Sequence, residues 1–203
     1  MPDFYDDSDK AIELLRKKLA RRGASARSRM LIDDFDEVNV IEVIGDLYAD
    51  LERDNEQAFY DLMILVYKRA KGKGAPPSKA WLRRNILKAY DPVTLYVYLD
   101  EIERKKARTT EAVIASVGNE AKEIAFTKAL RYWADMTAEY CDTVTFETVR
   151  EAFRTRGVEY VVWRTQEDER VCSICAPRDG VVYALAEVPS RPHWKCRCTI
   201  EAI

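Results

Sequence analysis

Apolar residues recur at three- and four-residue spacing through most of this chain, and the pattern changes to short β-branched and aromatic runs only after Gly157. Ile12, Leu15 and Leu19 share one face of a first predicted helix, with Ser8 placed to cap it and Gly23 to end it. A second, long pattern runs from Met30 to Ala70 through Phe35, Val38, Leu47, Leu51, Leu62 and Val66, with a break expected near Gly45 or near Asp54-Asn55. The stretch Lys71-Gly72-Lys73-Gly74-Ala75-Pro76-Pro77 reads as a helix stop and linker, after which Ser78 caps a short helix holding Trp81, Leu82 and Ile86. Asp91-Pro92 restarts a helix, since Asp accepts orphan N–H groups and Pro fits the first helical position. This pattern continues through Leu95, Leu99 and Ile102 toward Ile114 and Val117, and Gly118-Asn119 interrupts it before Ile124, Leu130, Trp133 and Tyr140. Thr145 is read as the cap of a last helix carrying Phe146, Val149 and Phe153, closed by Gly157.

Beyond that glycine, Val158-Glu159-Tyr160-Val161-Val162-Trp163 reads as a strand. Asp179-Gly180 signals a tight turn, Val181-Val182-Tyr183 a second strand, and Thr199-Ile200-Glu201-Ala202-Ile203 a short third one. The expected fold is therefore mainly α: a helical body over residues 1–157, with a linker at 71–77, and a small β module over residues 158–203. A β unit this small has little core of its own, so it needs a metal or tight docking.

Composition narrows the function classes. The 203 residues are 47% hydrophobic, enough for a sizeable core. Lys and Arg number 33 against 35 Asp and Glu, a formal charge of −2, which excludes a generally basic nucleic-acid binder and leaves only a local basic face. No apolar run approaches a membrane span, and the opening residues carry no secretory n-region or h-region, so a cytosolic protein is expected. In that compartment clustered cysteines are metal ligands more often than disulfides.

Such a cluster exists. Four of the five cysteines and the single histidine lie in Cys172-Ser173-Ile174-Cys175 and His193-Trp194-Lys195-Cys196-Arg197-Cys198. Sulfur and imidazole suit a borderline-soft cation, and the expected cofactor is a structural Zn2+ held by four of Cys172, Cys175, His193, Cys196 and Cys198. Two cysteines two apart on an extended segment point the same way, so Cys196 and Cys198 can both bind. Four protein ligands leave no water to activate, which points to structure and away from an enzyme. The competing readings are reduced core cysteines, or a disulfide staple in a mature extracellular particle. A zinc deaminase needs H-x-E upstream of P-C-x-x-C, whereas here the histidine lies downstream and Val171 precedes Cys172. No Walker loop, Rossmann glycine pattern or H-E-x-x-H is present, and several thiols competing for one imidazole disfavour a Cys–His nucleophile pair. Cys141, on a predicted helix, reads as a buried small hydrophobe, and Trp163 and Trp194 as packing around the array.

A basic stretch carries Arg16, Lys17, Lys18, Arg21, Arg22, Arg27 and Arg29 with no acid between them. It reads either as a phosphate-contacting face, with Arg16, Lys17, Lys18, Arg21 and Arg22 as its centre, or as the solvated side of an amphipathic helix balanced by Asp3, Asp6, Asp7 and Asp9.

From Tyr160 onward, the residues Tyr160-Val161-Val162-Trp163-Arg164-Thr165, Asp168 to Cys175, Asp179-Gly180, Tyr183, Pro189, Pro192-His193 and Cys196-Arg197-Cys198 follow one order and spacing. That order resembles the C-terminal signature of the phage Mu F-like minor head proteins, also called head morphogenesis proteins. The signature positions carried over are Asp168, Cys172, Cys175, Asp179, Gly180, His193, Cys196, Arg197 and Cys198. The resemblance implies a minor capsid protein of a tailed phage, bound to the portal protein and other head proteins. It implies incorporation during head assembly in the host cytoplasm, residence at the portal vertex of the virion, and a part in DNA packaging or ejection, sometimes with non-specific DNA contact. Neither a membrane nor a small-molecule substrate is expected. Asp168 and Asp179 are read as turn-formers beside the staple, and Arg197 as pointing away from its two neighbours, toward an acid or the portal. Two local departures stand out. Phe146-Glu147-Thr148 replaces an Arg-Thr-Glu-like helix start, and Pro192 precedes His193 where a His-Pro order is common.

Overall fold

The computed structural model describes residues 4–71, 78, 80–81, 92–166, 171–192 and 196–203, with backbone alone for 92–100. Four long helices come first: α1 (Tyr5–Ile32), α2 (Glu37–Lys71), α3 (Pro92–Ala115) and α4 (Asn119–Thr155). A three-stranded antiparallel sheet follows, with β1 (Tyr160–Arg164), β2 (Val182–Ala184) and β3 (Thr199–Ala202) in the order β2-β1-β3. The chain is thus mainly helical with a small C-terminal sheet, as its sequence pattern predicts. None of the described helices is long and apolar enough to cross a membrane. Leu82 and Ile86 of the short predicted helix, residues 72–77 of the linker, Asp168, His193 and Trp194 lie outside the described residues.

By contact density the chain divides into two compact units. Unit 1 takes residues 1–10, 59–90 and 139–203, and unit 2 takes residues 11–58 and 91–138. Residues 158–203 thus group with the second half of α2 and the last part of α4.

In unit 2 the predicted helix ends move. Gly23 does not stop α1, which runs on to Ile32. A Cβ at Gly23 would sit 2.4 Å from Leu130 Cδ1, so the missing side chain lets α4 approach closely instead of ending a helix. The stop comes at Asp34, where Asp34 N–H donates to Leu31 O and Phe35 N–H to Met30 O, a Schellman closure with Asp34 at positive φ (50°) in the place glycine usually takes. Asp36 then starts α2 by accepting the Val38 and Asn39 N–H groups on Oδ2. Neither Gly45 nor Asp54-Asn55 breaks α2, because Ile44, Leu47 and Leu51 around them stay on a buried stripe. Gly118, at φ 84°, separates α3 from α4 as expected.

In unit 1 the expected cap Thr145 lies in the middle of α4, buried, because α4 is one uninterrupted helix from Asn119 to Thr155. Gly157 does end it, with φ 73° and bonds from Gly157 N–H to Arg154 O and from Val158 N–H to Phe153 O. Ser8 does not cap α1 either; it sits inside that helix, fully buried, and donates from Oγ to Asp142 Oδ1 at 2.6 Å. Ser78 accepts the Trp81 N–H on its hydroxyl, as a cap should. The sheet packs Val161 and Trp163 of β1 and Ile200 of β3 into the core of this unit, where the Trp163 ring meets Phe146 of α4 at 5.7 Å and Tyr183 of β2 at 6.4 Å.

Candidate metal centre

The first half of the centre is a turn. Cys172 O accepts the N–H groups of Cys175 and Ala176, which folds the C-x2-C step back on itself. A short 3-10 helix, Ala176–Arg178, leads from it into a type II turn at Asp179-Gly180, where Val181 N–H donates to Arg178 O and Gly180 supplies the positive φ of 73°. Asp179 also accepts the Thr165 N–H at 2.8 Å, so the signature aspartate ties the end of β1 to this turn. The second half is the extended segment Cys196-Arg197-Cys198 that runs into β3, and Cys196 and Cys198 both turn inward.

These elements bring Cys175, Cys196 and Cys198 together, all buried and none in a disulfide, with their sulfur atoms within 4.8 Å of one another. Cys175 Sγ and Cys196 Sγ stand 3.7 Å apart. Zinc–sulfur bonds of about 2.3 Å at tetrahedral angles put two sulfurs roughly 3.8 Å apart, so this spacing fits ligation. Cys172, half-buried, adjoins Cys175 through a thiol hydrogen bond and is the fourth sulfur of the group. The cluster can therefore hold a metal ion.

The electrostatics point the same way. Hydrogen bonding from Cys198 pulls the Cys196 thiol down to about 5, with help from Cys175 and the nearby Arg191 guanidinium, against the opposing effect of burial. Cys198 is pushed up by that same bond and by burial, and burial pushes Cys175 up to about 12. Cys196 is thus the most readily ionised of the three sulfurs. A further group adjoins the site. Trp163 Nε1 is buried, and hydrogen bonding from this indole N–H lowers the Cys198 thiol, which puts the donor on the sulfur's side. Such a donor stabilises a thiolate more than a neutral thiol.

Two residues that sequence reasoning missed hold the second half in place. Arg191, with its side chain 5% exposed, donates from Nε and Nη2 to Cys196 O at 3.0 and 2.6 Å. Its Nη1 reaches Glu139 Oε1 at 2.8 Å and Thr143 Oγ1 at 2.5 Å on α4. Tyr5, at the start of α1, donates its hydroxyl to Cys198 O at 2.7 Å. The carbonyls of Cys196 and Cys198 are thereby fixed to helices of unit 1. Asp142 completes the network between Ser8 Oγ and Arg191, 3.8 Å from Nη2, and burial pushes its carboxyl up to about 6. The available signal for Arg191 was its place between Pro189 and Pro192, one loop ahead of the cysteine pair; Tyr5 had none.

Cys141 is buried on α4, and burial raises its thiol, as a small core hydrophobe requires. Arg197 is half-buried between the two inward cysteines, and its carbonyl accepts Gln166 Nε2 at 3.0 Å. The basic stretch lies along α1 in unit 2 and is largely matched by acids, though not by the N-terminal aspartates. Lys18 and Arg22 pair with Asp54, Arg22 also with Asp50, Arg27 with Glu123 and Arg29 with Asp46. Lys17 pairs with Glu13, while Arg16 and Arg21 are exposed with no ion pair among the described residues. No family model, curated protein or solved structure matches the chain.

Proposed function

We propose that this protein is a minor head protein of a tailed bacteriophage that docks at the portal vertex through unit 1, its C-terminal sheet locked by a zinc ion. One observation carries the reading: residues of the C-terminal signature that lie far apart in sequence converge in one buried place. Cys175, Cys196 and Cys198 meet there, with Trp163 beside them and the Asp179-Gly180 turn supporting them. When bound, the ion supplies a cross-link between the C-x2-C turn and the segment before β3, and no more chemistry than that. Cys172, Cys175, Cys196 and Cys198 would hold the ion, and four sulfur ligands would leave no open place for water. Arg191, Tyr5 and Trp163 orient the segment and offset thiolate charge, as outer groups do around a metal. A sheet this short gains rigidity from such a staple, and rigidity is what a low-copy assembly protein needs in a docking element.

Elemental analysis and a free-thiol count on chelator-free protein test the staple, and co-purification with the portal protein encoded in the same genome tests the docking. One zinc per chain, only one or two thiols titratable in the native protein and all five after denaturant with chelator, and a portal complex lost on chelation are expected. Five free thiols without metal would remove the staple, and failure to bind the portal would remove the assembly role.

A further inference from the structure

One corner of unit 2 presents apolar side chains that its own fold leaves in water. Ile32 ends α1 at 80% exposed, and Val38 and Ile41, one turn apart on α2, are 72% and 52% exposed. Val117, in the turn between α3 and α4, is 92% exposed. The two turns belong to one place. Asn119 Nδ2 donates to Asp34 Oδ1 at 3.3 Å, and Lys122 Nζ to Phe35 O at 3.2 Å. Exposed apolar residues scattered singly need no explanation, but four at one joined corner do.

The corner is also rigidly built. Asp34 and Phe35 are consecutive non-glycine residues at positive φ, 50° and 57°, an arrangement a bulky side chain avoids unless its surroundings impose it. Phe35 is buried, its carbonyl is held by Lys122, and Asp36 caps α2, so the backbone here is fixed while the apolar side chains point outward. A preorganised apolar surface costs little to bury on a partner.

Charge identifies the occupant. Between Ile32 and Glu42 the chain carries Asp33, Asp34, Asp36, Glu37 and Glu42 and no base. None of these five makes an ion pair among the described residues, whereas the acids farther along α2, Asp46, Asp50 and Asp54, are matched by arginines and lysines of α1. An apolar patch rimmed by unmatched acids fits a protein segment with apolar residues flanked by Lys or Arg. We propose that this corner of unit 2 is a docking surface for a basic amphipathic segment of a partner protein. The inference is independent of the metal centre and of the head-protein reading.

The test uses the full chain and two synthetic peptides of equal length and spacing, one of Leu and Lys and one of Leu and Glu, followed by amide chemical-shift mapping and calorimetry. The Leu/Lys peptide should bind and shift residues 32–42 and 117–124, while the Leu/Glu peptide should not bind. Val38→Asp with Ile41→Asp removes apolar area while adding negative charge. Docking on this surface predicts about tenfold weaker binding, from the lost burial of two side chains. Purely electrostatic attraction predicts the opposite, tighter binding, and that result would overturn the proposal. Glu37→Gln with Glu42→Gln should weaken binding and flatten its salt dependence. Shifts confined to other surfaces, equal binding of both peptides, no binding of the Leu/Lys peptide, or self-association abolished by Val38→Asp each also overturn it.

Discussion

Unit 1 and unit 2 solve the problem of holding together in different ways. In unit 2 charged pairs stay near the surface, along the seam of Lys18, Arg22 and Arg29 with acids of α2, while the helices bury Ile44, Leu47, Phe126, Trp133 and Met136. Among its described buried polar bonds are neutral ones, such as the Tyr48 hydroxyl on Thr109 Oγ1, whose own proton goes to Lys105 O. Unit 1 instead buries a cation. Arg191, its side chain 5% exposed, lies between Glu139 and Asp142, and Asp7 is buried against Arg69, around a sheet of three short strands. Long helices can form a core from repeated apolar stripes, whereas a sheet of three- to five-residue strands cannot. The difference teaches where each unit is vulnerable. Unit 2 should tolerate the loss of any one charge, and unit 1 should not.

Loss of the cluster is the sharpest way to press that contrast. Cys196→Ser, which removes a sulfur shared between Cys175 and Cys198, should abolish metal binding and unfold the sheet while most helical signal in the far-UV survives. Hydrogen exchange should show the amides of β1 and β3 losing protection and those of α2 in unit 2 keeping it. Cys172→Ser, at the least buried of the four cysteines, should have the same effect in milder form. Equal loss of protection in both units would break the comparison. Arg191→Ala comes next in size. It strips the donors from Cys196 O and leaves Glu139 and Asp142 buried without their cation, a loss of about 3–5 kcal/mol for a buried ionic network. Denaturant unfolding monitored on the sheet would measure it.

These two predictions also mark the limit of what the sequence could reveal. The helical pattern, the three strands, the Gly157 closure and the Asp179-Gly180 turn were legible because each is written in local spacing. The cysteine group was legible because its thiols come at C-x2-C and C-x-C steps, a spacing that suits metal ligation. Helix ends were less legible. Ser8, Gly23 and Thr145 look like caps and stops, yet tertiary contacts claim them: Asp142 takes Ser8, Leu130 takes the space at Gly23, and the core takes Thr145. The true stop of α1, Asp34, has the wrong residue type for its φ and is held by contacts remote in sequence. Arg191 and Tyr5 act on main-chain carbonyls, so their partners carry no side-chain signature at all.

The buried carboxyl gives a smaller effect with a definite sign. Asp142 titrates near 6 in the folded chain because burial outweighs the help it receives from Ser8 and Arg191, with Glu139 and Asp9 pushing in the same direction as burial. An unfolded aspartate titrates near 3.9, so between about pH 6 and 4 the folded state binds the extra proton. Its ionisation therefore destabilises unit 1 above pH 6, and the penalty fades as pH falls toward 4, a difference on the order of 2 kcal/mol. Glu147, also raised by burial, acts in the same sense. Asp142→Asn should remove the Asp142 part of this dependence. The difference between wild-type and variant melting temperatures, followed from pH 7.5 to 4.5, isolates it from any pH effect on metal. A gap that does not change with pH would show that the carboxylate is already paid for by Arg191.

The smallest effect is expected in unit 2, and it completes the contrast. Arg29 and Asp46 form a 3.0 Å pair with both side chains about half exposed, so water and salt screen what they gain. A double-mutant cycle with Arg29→Ala and Asp46→Ala should give a coupling of about 0.5 kcal/mol or less, vanishing at high salt. Arg22 offers the same test one step inward, since it is less exposed and holds Asp54 at 2.5 Å while also meeting Asp50. Its coupling should exceed that of Arg29 and still fall well short of Arg191. If instead Arg29 and Arg191 cost the same, burial of charge would not distinguish the units, and the case for the proposed metal staple in unit 1 would have to rest on its cysteine cluster and the shortness of its strands alone.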